Sequence, residues 1–329
     1  MFSKKSIVFF ASSLTLFSLA LARTDYNESV SVTSDISDNW VCVDYPQSSG
    51  SMSTTRGNVI VNVEENVSIT ADYLNVYGTG SSIKFLGNNQ VNAGNISIFG
   101  GADKSKGASM EFYNSTVNTS QINLREDATS LILKDSQVTI SGNLVVNTNS
   151  SIVIDGGSLT CDIFSQTGAY SKETKADIKI INGAALKLNG QGNGAYQNGY
   201  NIYVDSESSF NATAIANYYG KLTFEAGAKV SFSEENKLEN MSFELVLDDI
   251  SSLQDKQLNE YLETITLAGN SIENLLTSEN LTVLDKMSGI SFEVSVSDSG
   301  IITLVPEPST YAAILGAVAL AFAAYRRRK

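Results

Sequence analysis

Along residues 109 to 161, apolar and polar positions alternate in short runs that repeat at a fixed step. SMEFYNSTVNTSQINL begins at Ser109, SLILKDSQVTISGNLVV at Ser130 and SIVIDGGSLTC at Ser151, a constant spacing of 21 residues. Superposed at that step, Met110, Leu131 and Ile152 form one apolar column, and Phe112, Leu133 and Ile154 form a second. Val117, Val138 and Leu159 make a third; Thr119, Ile140 and Cys161 make a fourth. A further pair follows at Ile122 and Leu124 and again at Leu144 and Val146. Alternation with period two marks strands that bury one face. Three such strands per coil, separated by bends of Asn, Asp, Gly and Ser, predict a parallel β-helix whose coils stack about 4.8 Å apart. An antiparallel sandwich also alternates, but nothing in it holds four columns at one spacing.

Looser coils extend the pattern in both directions. Val67 and Ile69 with Leu74 and Val76, then Ile83 and Phe85 with Ile96 and Ile98, precede the regular block. Ile178 and Ile180 with Leu186 and Leu188, Ile202 and Val204, and Leu222 and Phe224 with Val230 and Phe232 follow it. The repeat region is therefore expected over residues 57 to 232. Pro46, Pro306 and Pro308 are the only prolines, so none interrupts these coils, whose interior strands need their amides on both edges. Bends such as GNNQ and DGGS supply residues that accept left-handed backbone. The longest of them, Asn189 to Gly199, reads as a loop insertion and not as a phosphate cradle, because no lysine-serine or strand-helix context follows it. Tyr196 and Tyr200 there are expected to cover the solenoid surface, with stacking on sugar rings as the alternative.

Residues 23 to 56 read as an N-terminal cap or linker. After about residue 233 the rhythm changes, and residues 233 to 304 read as a small α+β cap. Leu253, Leu258, Leu262 and Ile265 suggest a helical turn or two. Phe292, Val294 and Val296, the turn Asp298-Ser299-Gly300, then Ile302 and Leu304 read as a hairpin. Asp248 and Asp249 are expected at a surface turn. The predicted class is all-β, a parallel β-helix with this cap, an N-terminal signal helix and a C-terminal transmembrane helix.

The two ends carry different signals. Lys4 and Lys5, an apolar run from Ile7 to Leu19, and Ala20-Leu21-Ala22 have the three-part layout of a secretory signal peptide over residues 1 to 22, with cleavage expected after Ala22. Residues 305 to 329 read VPEPSTYAAILGAVALAFAAYRRRK. An uncharged stretch from Tyr311 to Tyr325 is just long enough to bridge a thin membrane, and Arg326, Arg327, Arg328 and Lys329 would hold its end in the cytoplasm. Pro306 and Pro308 lack amide donors and bias Val305 and Glu307 toward extended backbone, a helix-free handle before the span.

This tail resembles the PEP-CTERM sorting signal of exopolysaccharide-producing Gram-negative bacteria, with Pro306, Glu307 and Pro308 as the motif, the apolar helix next and the basic cluster last. The resemblance covers about the last 25 residues. It implies export by the secretion machinery, insertion in the inner membrane, recognition by an exosortase-type processing enzyme, and delivery to the cell surface or extracellular matrix. The repeat region for its part resembles the β-solenoid passengers of autotransporters and pectin-lyase-like proteins.

Charge and composition narrow the partners. The formal net charge is −13, which argues against nucleic acid and anionic lipid surfaces as partners of the body. The chain contains no histidine, which removes histidine triads, histidine-based zinc sites and histidine-assisted lyase chemistry. Polygalacturonase-like β-helices would show clustered aspartates with His, Arg and Lys; the body's arginines are Arg23, Arg56 and Arg125 alone, and no set of side chains converges. No catalytic residue, metal site or cofactor is predicted. Cys42 and Cys161 are the only cysteines and both sit in the expected exported part, where a disulfide is permitted; against one, Cys161 falls in a core column, where a reduced thiol needs no partner. Sequons such as Asn66-Val67-Ser68 and Asn114-Ser115-Thr116 are expected by chance in so Asn-, Ser- and Thr-rich a chain. The expected function is that of a structural or adhesive surface protein without enzymatic activity; a carbohydrate-binding or polysaccharide-cleaving β-helix protein, with extracellular polysaccharide as partner, is the alternative.

Overall fold

The computed structural model describes residues 23–45, 57–100, 105–125, 128–167, 176–190, 199–213, 220–232, 242–250, 265–267, 281–296 and 302–306. Ala20 and Ala22, Glu307 and Pro308, the apolar stretch 311–325 and the basic residues Arg326 to Lys329 lie outside them, as do Tyr196 and the helical positions Leu253, Leu258 and Leu262. Among the described residues, no helix is long and apolar enough to cross a membrane.

The strands form two 13-stranded sheets, and the chain alternates between them as it winds. Ser130–Lys134 pairs in parallel with Ser109–Tyr113 on one side and with Ser151–Asp155 on the other, in the register the 21-residue step predicts: Leu131 sits between Met110 and Ile152, and Leu133 between Phe112 and Ile154. Val138 sits likewise between Val117 and Leu159. All of these apolar side chains are buried, as are those of the looser coils from Val67 to Val230. The columns are continuous: Phe85 stacks on Phe112 with ring centroids 4.6 Å apart. The chain is thus a parallel β-solenoid around one apolar core.

The coils as far as Asn182 turn one corner through left-handed backbone. Asn66, Asn88, Asn114, Asp135, Gly156 and Asn182 occupy the equivalent bend with positive φ, a conformation in which Asn, Asp and Gly are least strained. At Gly157 (φ +69°) the bend leaves no choice. A Cβ there would lie 2.1 Å from the carbonyl oxygen of Ser136 in the coil below.

The parallel ladders run past both expected boundaries. Arg23–Tyr26 pairs with Ile36–Val43, which pairs with Ser68–Val76, so residues from Arg23 onward belong to the solenoid. The periodicity hides this coil because its step to the next is 33 residues, through an insertion. At the other end Ser242–Leu247 and Leu281–Asp285 continue the second sheet in parallel. Ile265, expected in a helix, begins the strand Ile265–Leu267 and pairs with Val230. The regular elements in the described part of the expected α+β cap are therefore strands, because the ladder of the preceding coil offers them a partner. The predicted hairpin is present: Ile290–Val296 and Ile302–Pro306 pair antiparallel, with Val294 opposite Leu304, and they close the sheet. Pro306 stands in the edge strand, where a missing amide costs least.

In the N-terminal coils the first sheet bends. The ladder steps over Asn39, Asp72, Gly94 and Ser120, and beyond that corner the strands continue as a second arm. The next coil makes the bend explicit, since Gln137–Ile140 and Asn143–Asn147 are separate strands that both pair with the single strand Thr116–Leu124. This second arm is the third strand of the predicted coil. Its inner face buries Val41 and Val43, Leu74 and Val76, Ile96 and Ile98, Ile122 and Leu124.

Candidate functional site: an aromatic and amide groove

The outer face of that second arm carries three rows of side chains, set by the strand alternation. Trp40, Tyr73, Asn95 and Gln121 lie in register across the strands. Two residues further along each strand come Cys42, Asn75, Ser97 and Asn123. Two further again come Tyr77, Phe99 and Arg125, which continue the ladder at the strand ends. Between the outer rows lies a groove of about 320 Å³.

Its walls are aromatic. Trp40 and Tyr73 stack at 4.3 Å between ring centroids. On the opposite wall Tyr77 and Phe99 stack at 4.5 Å with an interplanar angle of 7°, Tyr45 meets Tyr77 edge-on at 5.3 Å, and the Arg125 guanidinium lies 5.4 Å from the Phe99 centroid. Arg23 covers Tyr45 at 3.5 Å and is paired with Asp25. Offset stacks of this kind hold rings in place at about 0.5 to 1.5 kcal/mol per pair.

The floor is polar and nearly dry: Asn75, Ser97 and Asn123 are only 3 to 5 % exposed. Gln121 Nε2 donates to Asn123 Oδ1 at 2.9 Å, and Asn123 Nδ2 reaches Ser97 Oγ at 3.4 Å. Burial, and after it the charge of Asp25, pushes the Cys42 thiol up to about 11, against the opposing effects of Arg23 and the Asn75 amide. Burial likewise raises the Tyr77 phenol. Both groups are neutral at ordinary pH. Among the described residues no carboxylate lines the groove, although the chain holds 35 Asp and Glu.

This is a surface that presents flat apolar rings beside amide donors and acceptors. It suits a ligand with one apolar face and a periphery of hydroxyl groups. Among the described residues, its lining holds no nucleophile and no acid–base pair. Among the described residues no group of three or more Cys, Asp and Glu could hold a metal ion. Buried carboxylates elsewhere are engaged in the second sheet: Glu111 accepts from Tyr113 at 2.7 Å and pairs with Lys84 at 3.0 Å.

Of the two tyrosines expected to cover the solenoid surface, with sugar stacking as the alternative, Tyr196 lies outside the described residues and Tyr200 does neither. Tyr200 is buried in the core at 1 % exposure, because it takes the inward position beside Ala176 at the start of its strand. Cys42 and Cys161 are both free and buried, as the column argument requires of Cys161. Asp248 and Asp249 are exposed after the strand Ser242–Leu247, in keeping with a surface bend. The groove residues themselves were missed. The only signal for them is an aromatic or amide residue flanking each buried pair, as in DYLNVY and NISIF, and its steps of 33, 22 and 26 residues are too uneven to superpose by eye.

Compared with known proteins, the chain matches no family, no curated protein and no solved structure.

Proposed function

We propose that the chain is an exported adhesive protein of the cell surface or extracellular matrix that holds a polysaccharide in the aromatic groove without cleaving it. The observation that carries this reading is the pairing of stacked rings with a desolvated amide floor in a groove that, among the described residues, no carboxylate lines. Sugar rings have apolar C–H faces that pack on aromatic rings, and their hydroxyls match the two-sided hydrogen bonding of Asn and Gln. The solenoid supplies the rigid, repetitive support that such a site needs.

The delivery half of the proposal rests on the sequence of the tail. Pro306, Glu307 and Pro308 serve as the sorting motif for an exosortase-type enzyme, with the apolar segment and Arg326 to Lys329 parking it at the inner membrane. That Ile302–Pro306 runs as an extended edge strand supports an extended presentation of the motif.

One preparation tests both halves. Protein recovered from cells is weighed by mass spectrometry and titrated with polysaccharides. The proposal expects wild-type protein without its basic tail in the surface or matrix fraction, tail retention when Pro306, Glu307 and Pro308 are all replaced by Ala, and saturable glycan binding without release of reducing ends. Identical fractionation of wild type and triple variant would sink the sorting half. Turnover, or no binding to any glycan, would sink the other.

A further inference from the structure

The two walls of the groove are built alike but finished differently. On one wall the column of planar groups runs Tyr77, Phe99, Arg125, one per strand, with the guanidinium closing over Phe99. On the other it runs Trp40, Tyr73 and then stops, for the next strands contribute Asn95 and Gln121. One face of Tyr73 is stacked on Trp40, yet Tyr73 is still 38 % exposed. Tyr73 therefore keeps an apolar ring face open inside the groove, beside the amides of Asn75, Asn95 and Gln121, and covering that face would bury aromatic surface.

We propose that a single pyranose ring of the bound polysaccharide occupies the open third place in this column, stacked on the free face of Tyr73, above Asn95 and below Gln121. The inference rests on the glycan reading and adds the seat. Strands of the sheet are about 4.8 Å apart, so Tyr73 and Gln121, two strands from each other, stand about 9.6 Å apart, room for one ring in van der Waals contact with Tyr73. The amides of Asn95 and Gln121 flank that ring and hydrogen-bond its hydroxyls, and the Asn75 and Asn123 floor lies beside it. Neighbouring sugar units run across the groove toward Phe99 and Arg125.

The chain carries its own probe, because Trp40 is its sole tryptophan and stacks on the other face of Tyr73. Full-length protein is titrated with cellohexaose, xylohexaose and tetragalacturonic acid while Trp40 emission is followed, and calorimetry gives the affinity. Asn95→Tyr extends the column with a third ring and fills the seat; Asn95→Ala leaves the seat open. The proposal expects a saccharide-dependent change in Trp40 emission in the wild type, a loss of affinity of roughly tenfold or more in Asn95→Tyr, and a smaller loss of about fivefold in Asn95→Ala, which gives up one amide hydrogen bond but leaves Tyr73 open. Urea midpoints of both variants, expected to match wild type, show that the fold is kept. If wild type binds a saccharide and Asn95→Tyr binds it equally well, the seat is wrong while the glycan reading stands. If wild type binds none of the three and also none of a wider polysaccharide panel, both fall. Binding of a phenyl compound in place of any saccharide, blocked by Asn95→Tyr, would overturn the pyranose assignment.

Discussion

The coils between Ile36 and Thr167 and those between Ala176 and Leu247 share the same two ladders and the same core, yet they use their outer faces differently. The first set carries the additional arm whose outer rows are aromatic rings and amides, with one stack left unfinished. The described residues of the second set show no such arm, and outward polar groups there pair across coils as Lys84 and Glu111 do on the second sheet of the first set. Lys221 pairs with Glu244, Tyr203 donates to Glu225 at 2.6 Å, and Lys286, from beyond the set, reaches the same carboxylate at 2.9 Å. Inward positions are dictated by the column above and below them, and outward positions are not. The outer face is therefore where a solenoid differentiates, and a ladder of mutually satisfied charges is a face with little left to offer a ligand.

The most severe way to break this comparison is to attack what both regions share. Leu133→Asp places a carboxylate in a column where the side chain is fully buried. It is expected to cost about 5 kcal/mol or more and to abolish the cooperative transition in circular dichroism, since that is roughly the stability of an ordinary domain. A folded Leu133→Asp protein would mean that the column is not what holds the coils together.

A matched pair of glycines measures how tightly each region is wound. Gly157 (φ +69°) has the Ser136 carbonyl in the path of any Cβ, whereas Gly183 (φ +74°) has nothing within 4 Å. Gly157→Ala is expected to lose about 3 kcal/mol in urea denaturation, and Gly183→Ala only the left-handed backbone term of about 1 kcal/mol. Equal losses would show that backbone conformation alone, and not the close coil contact, sets the requirement for glycine.

The smallest effect separates the two faces by pH. Burial would raise the Glu225 pKa, but the Tyr203 hydroxyl and Lys286 outweigh it and hold the group below its usual value of 4.5. A carboxylate depressed in the folded state stabilises it above the unfolded pKa, and the contribution disappears as pH falls through the lowered value. Acidification below about 4.5 should thus erode stability, less so in Tyr203→Phe, where the starting stability is already lower. Glycan affinity of still-folded protein should stay flat over the same range, because no carboxylate lines the groove among the described residues. An affinity that falls in step with Glu225 titration would put a carboxylate in the site after all.

Much of the solenoid was legible in the chain because burial leaves a period. Met110, Leu131 and Ile152 recur at one step since every coil must present an apolar residue to the same column. Trp40, Tyr73, Tyr77 and Phe99 obey the same ladder but lie outside the core columns, where their stacks do not require one apolar residue in every coil, and their coils differ in length. Their alignment exists only in the register of strands. Tyr200 shows the reverse error: a tyrosine beside a glycine-rich loop reads as surface, and only its ladder position beside Ala176 reveals that it points inward. The corner at Asn39, Asp72, Gly94 and Ser120, which creates the groove by turning the strand, has no residue type in common and so leaves no signature.

The parallel register has a consequence for how the molecule comes into being. Along the body each strand rests on the strand of the coil before it, so a chain delivered from its amino end can solidify one winding at a time, every finished winding serving as the template for the next. Such growth needs only partners already delivered, and it moves in one direction like a ratchet. The antiparallel pairs from Leu281–Asp285 through Ile290–Val296 to Ile302–Pro306 are the exception that stops it, for in each the later strand lies on the strand immediately before it, and among the described residues no further strand pairs with the outer edge that carries the proline.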